Sequence, residues 1–101
     1  MEITEVRISL KGEEKLKAFA NVTLDNEFVV RGVKVIQGPG GFFVSMPSRR
    51  RPDGTYQDIC HPVNAGMRRK LETAVLDAYL GELKRTGEAE GEASLPTQSS
   101  A

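Results

Sequence analysis

Tryptophan is absent from this 101-residue chain, cysteine and histidine occur once each, and no long apolar run is present. Each scarcity excludes something. A lone Cys60 leaves no partner for an intramolecular disulfide and fits a reducing compartment, so a cytoplasmic location is expected. A membrane span needs about 18 consecutive apolar residues, and no basic segment leads into an apolar core as a secretory signal would, so neither insertion nor export is expected. Structural zinc sites use paired Cys or His ligands at fixed spacing, which one Cys and one His do not supply, and no metal is expected. No cofactor is expected either: the run Gly38-Pro39-Gly40-Gly41 lacks a following Gly-Lys-Ser/Thr and leads into a strand pattern, where a phosphate cradle would lead into a helix.

Catalysis is equally short of means. Cys60 and His61 are adjacent, and on extended backbone adjacent side chains point to opposite sides, so they do not make a nucleophile and base. Cys60 reads as a small packed residue and His61 as a turn residue before a helix. The carboxylates Glu13 and Glu14 fall in a loop and Asp53 in a turn. The expected protein is not an enzyme.

What is present is charge, unevenly placed. The formal net charge is +0, with 14 Lys plus Arg against 14 Asp plus Glu. Residues 1–37 balance, residues 38–70 carry an excess of +4 and residues 71–101 an excess of −4. Two triplets hold the positive charge, Arg49-Arg50-Arg51 and Arg68-Arg69-Lys70. Arginine presents planar donors suited to phosphate oxygens, and a loop beside a helix can follow a nucleic-acid backbone. The plainer alternative is a solvated surface run of charge.

Hydrophobic periodicity supplies the fold. Val6, Ile8 and Leu10 alternate, as do Leu16, Ala18, Ala20, Val22 and Leu24, which predicts strands with one wet face. Lys11–Glu14 reads as a hairpin loop, and Asp25-Asn26 as a tight turn into a strand over Phe28–Ile36. Gly38–Gly41 turns the chain into Phe42–Met46. Pro52-Asp53-Gly54 places Pro, Asp and Gly at successive turn positions before a short return strand over Thr55–Ile59. After Pro62 the period changes. Met67, Leu71, Ala74, Val75, Ala78, Tyr79 and Leu83 recur at three and four, which predicts one amphipathic helix with Asn64 as its N-cap. Basic residues in the first turns of that helix oppose its dipole, so stability alone does not explain them.

The expected fold is therefore α+β: an antiparallel β-meander of about five strands with one C-terminal helix packed on it, spanning residues 1–85. Residues 86–101, rich in Gly, Glu, Ser and Thr, are expected to form a disordered acidic tail. Such a thin core with open sheet edges favours a homodimer. Phe19 and Phe43 each break step with the inward set of their strand, which leaves them either as stacking platforms of the kind sheet-type RNA binders use or as residues of the core or dimer interface.

Three blocks carry a further resemblance. Thr23-Leu24-Asp25-Asn26-Glu27-Phe28-Val29-Val30, then Gly41-Phe42-Phe43-Val44-Ser45-Met46-Pro47-Ser48-Arg49-Arg50 with Pro52-Asp53-Gly54, then Asp58-Ile59-Cys60-His61-Pro62-Val63-Asn64, resemble the stage V sporulation protein G (SpoVG) family over about residues 1–85. The chain departs at Arg51, where members commonly carry a neutral residue such as Thr, and at Cys60, where Thr is expected. The resemblance implies a small bacterial cytoplasmic dimer that binds DNA, and in some members RNA, and that is associated with septation and sporulation control. It implies nucleic-acid contacts by Arg49, Arg50, Arg68, Arg69 and Lys70; Arg51 joins them from this sequence alone. The alternative expectation is an adaptor of the division septum that docks a protein on a sheet edge or helix face and binds no nucleic acid.

Overall fold

The structure, a computed structural model, describes residues 1–86. Strands β1 (Ile3–Leu10), β2 (Leu16–Leu24), β3 (Phe28–Gly38) and β4 (Gly41–Ser45) form an antiparallel sheet in the order β1-β2-β3-β4. The connections follow the turn chemistry. Asp25 and Asn26 both adopt positive φ (52° and 56°), and the Glu27 amide donates to the Leu24 carbonyl at 2.9 Å, closing a tight turn within the three-residue loop between the paired Leu24 and Phe28. The Asp25 carboxylate also accepts the Glu2 amide at 2.8 Å, which ties the start of the chain to this turn.

Alternation along β2 does what it predicts: Ala18, Ala20, Val22 and Leu24 are buried. Against them from β3 and β4 lie Val33, Val35 and Val44, and helix α1 (Ala65–Thr86) closes the layer with Leu71, Val75 and Tyr79. The core is thin, one sheet face under one helix. The expected helical stripe is the one observed, since Met67 and Leu83 pack against the core beside those three residues. The Met67 amide donates to Asn64 Oδ1 at 2.7 Å, so Asn64 is the N-cap.

The strands are not uniform. Ala20 faces Val33 while Val22 faces Val30, so β3 inserts one extra residue there, at Gly32 with φ +82°. The expected return strand also has a more particular place than the meander implied. Strand β6 (Tyr56–Asp58) pairs with β5 (Ser48–Arg50) in a separate two-stranded sheet, leaving the main sheet with four strands. Pro47 and its neighbours turn the chain away from β4, and the three-residue β5 has no apolar alternation to lay it on the core. The acidic tail expected over 86–101 lies, apart from Thr86 at the helix end, outside the described residues. No helix among the described residues is long and apolar enough to cross a membrane.

Candidate nucleic-acid interface

The β5–β6 hairpin forms an arm that leaves the main sheet after the buried Met46. At its base the Ile59 amide donates to the Pro47 carbonyl, and nearer the tip the Arg51 amide donates to the Thr55 carbonyl, both at 2.7 Å. Its tip is the turn that Pro52-Asp53-Gly54 predicts, closed by the Gly54 amide on the Arg51 carbonyl at 2.9 Å. Asp53 Oδ1 accepts the Thr55 amide at 3.0 Å and the Thr55 hydroxyl at 2.7 Å. These two bonds, the backbone one foremost, hold the Asp53 carboxyl below its ordinary range. Asp53 is thus an ionised turn brace whose oxygen is engaged by Thr55.

The arm presents the first triplet. Arg49 stands opposite Gln57 and Arg50 opposite Tyr56, so the pleat sends the two guanidinium groups to opposite faces. Arg49, Arg50 and Arg51 are all exposed, and none is ion-paired among the described residues. Gly54 lies within 4.0 Å of the Arg50 guanidinium, measured from the position a Cβ would occupy, so Arg50 curls toward the tip.

The second triplet sits on the first turns of α1. Arg68, Arg69 and Lys70 are exposed between Met67 and Leu71, which face the core. Arg68 and Glu72 approach to 3.8 Å, a loose surface pair, and Lys70 Nζ donates to the Met1 carbonyl at 3.0 Å, which leaves its charge unneutralised. No acidic residue occupies the first turn. The two triplets do not merge into one cluster. The arm strands make no contact with α1 among the described residues, and the segment Ile59–Asn64 bridges from one to the other.

That bridge corrects one expectation. Ile59 and Cys60 lie on a bend, where extended backbone was expected, and Cys60 and the following His61 both line a single apolar pocket of about 330 Å³ together with Leu24, Phe28, Met46, Met67 and Leu71. No hydrogen bond joins the two, and His61 Nδ1 lies 2.9 Å from the Pro62 carbonyl oxygen. Among the described residues no three His, Cys, Asp or Glu side chains gather as a metal site would require.

The family model described as SpoVG matches residues 1–81. The chain belongs to the SpoVG family. It is 51% identical over 94 residues to a protein of Anaeromyxobacter sp. (strain K), covering 93% of each chain. It is 51% identical over 92 residues to one of Acetivibrio thermocellus, covering 90% of this chain and 98% of the relative. A protein of Bacillus cereus (strain AH187) is 48% identical over 97 residues, covering 93% of this chain and 100% of the relative. All three carry the name "Putative septation protein SpoVG". The SpoVG match takes in the sheet, the whole arm and α1 as far as Gly81, so both basic triplets lie inside it.

Two aromatics of this surface, Tyr56 and Phe28, are among those the sequence offers as stacking platforms but does not single out. Tyr56 is 69% exposed opposite Arg50, and Phe28 is 67% exposed on the rim of the apolar pocket. The signal for Tyr56 was its place in a strand too short to reach the core. Phe28 offered none, because it opens an otherwise apolar strand.

Proposed function

We propose that this chain is a non-enzymatic nucleic-acid-binding protein that acts in the cytoplasm as a homodimer, gripping phosphates with Arg49, Arg50 and Arg51 of the arm and Arg68, Arg69 and Lys70 of the helix. One observation carries the reading: six exposed cations stand in a window whose only acids are Asp53, engaged by Thr55, and Asp58, in the arm's return strand. A helix N-terminus already favours anions through its dipole, and three basic residues there add charge that helix stability disfavours. The names of the relatives point toward septation and say nothing of a ligand; in our reading nucleic-acid binding is the means of that control.

Titrating labelled duplex DNA and single-stranded RNA over a range of salt concentrations tests this. Each phosphate neutralised on duplex DNA contributes about −0.9 to the log-log salt slope. The variant with Arg49, Arg50 and Arg51 all changed to Ala is expected to bind more weakly and to flatten the slope by as much as about 2.7, three such increments. Failure of the wild type to bind either ligand at low salt overturns the reading. A charge-reversed variant that loses nucleic acid yet keeps normal division would move the function to protein docking on the exposed strand edges.

A further inference from the structure

The face of the main sheet turned away from α1 holds a second surface, distinct from the arm and the helix. There Phe19 of β2 stands opposite Ser9 of β1 and Lys34 of β3, and Lys34 stands opposite Ser45 of β4. Two residues along β3 from Lys34, Ile36 faces Phe43 of β4. Side chains two apart on a strand share a face, so Phe19, Lys34, Ile36, Phe43 and Ser45 lie on one side. Val33, Val35 and Val44 lie on the other, in the core. Strand spacing and rise put the two phenylalanines about 12 Å apart, too far for one base to touch both.

Phe43 is 48% exposed, yet its ring is held in place. A Cβ on Gly38 would meet ring atoms at 3.1 and 3.2 Å, so the ring rests on glycine backbone with no side chain between them. The Cδ1–Cε1 edge of the ring is thereby supported, while about half of the residue stays exposed. Lys11 Nζ lies 5.7 Å from the Phe19 ring centroid, and Lys34 stands between the two aromatic positions. Charge on this face favours a polyanion: of the acids, Glu5 is engaged by Arg7 at 2.9 Å, while Lys11 and Lys34 have no ion pair among the described residues.

We infer that this face is a second binding site, for unpaired RNA, in which Phe43 stacks one base, Phe19 another, and Lys11 and Lys34 meet the intervening phosphates. The inference rests on the proposed nucleic-acid reading and names a site and a ligand class for it. Flat rings on an open antiparallel sheet accept splayed bases, which RNA loops and ends offer and stacked duplex DNA does not. A duplex keeps its bases stacked and presents phosphates to the arm and helix.

Anisotropy titrations of a labelled single-stranded RNA and of duplex DNA, with sedimentation velocity on every variant, test the inference. Phe43→Leu keeps apolar volume but removes the aromatic plane, and Phe43→Tyr keeps the plane. Phe43→Leu is expected to weaken RNA binding at least about fivefold, to leave its salt slope unchanged and to spare duplex DNA, with Phe43→Tyr close to wild type. An RNA bearing 5-iodouracil is expected to photocross-link to Phe43. Unchanged RNA affinity in Phe43→Leu, with the arm variant still impaired, overturns this site and leaves the proposed function standing. No RNA or DNA binding by the wild type overturns both. A change of oligomeric state in Phe43→Leu overturns the site by placing the face between copies of the chain.

Discussion

Gly32 lets β3 change course without leaving the sheet. Its φ of +82° lies in the left-handed region, and an added Cβ would meet nothing nearer than Pro47 Cβ at 3.9 Å, an ordinary contact. Space is therefore adequate and the backbone is not. Gly32→Ala is expected to cost about 1 to 2 kcal/mol, seen as a lower urea midpoint at unchanged m-value, whereas a purely steric clash would be relieved by Pro47→Ala. The sequence shows little of this. Within Phe28–Ile36 a single Gly between Arg31 and Val33 reads as continuous strand, because the bulge exists only relative to β2. Phe19 and Phe43 were legible as residues out of step with their strands. That step-breaking is a local property, while the support of the Phe43 ring by Gly38 belongs to a hairpin.

At the scale of elements, α1 combines an apolar stripe that its sequence displays with an entry that works against the dipole. Asn64 offsets part of this: its side chain satisfies the Met67 amide, and its carbonyl accepts the Arg68 amide at 3.1 Å. Asn64→Ala is expected to destabilise the fold by about 1 kcal/mol. Asn64→Asp is expected to be at least as stable as wild type, since a carboxylate at that end complements the dipole and the triplet. Thermal unfolding at low salt separates the two. The arm was half legible. The Pro-Asp-Gly turn and the return strand follow from local chemistry, but Ser48-Arg49-Arg50 has no alternation to mark it as the partner strand.

For the whole molecule the decisive quantity is how little one helix covers. Phe28 and Val63, 67% and 87% exposed, lie beside the apolar pocket and an adjoining cleft that share Met1, His61, Pro62 and Met67. Exposed apolar area of this kind marks interaction surfaces. The proposed homodimer is expected to use Phe28 and the apolar pocket, because Lys70, proposed to meet phosphate, lines the adjoining cleft. Phe28→Glu is expected to sediment as a folded monomer where the wild type sediments as a dimer; a wild type that is monomeric at micromolar concentration removes the dimer.

By itself the sequence determined the alternation of β1 and β2, the hairpin at Asp25-Asn26, the arm turn, the N-cap and the helical stripe. These are set by interactions within a few residues, and their signals are local. Only the tertiary structure decided that β6 pairs with β5 outside the main sheet, that Cys60 and His61 share a pocket with Leu24 and Leu71, and that the two basic triplets stand apart. Those outcomes depend on contacts between segments distant in the chain, where pairing and burial are chosen by which surfaces remain to be covered once the local elements have formed.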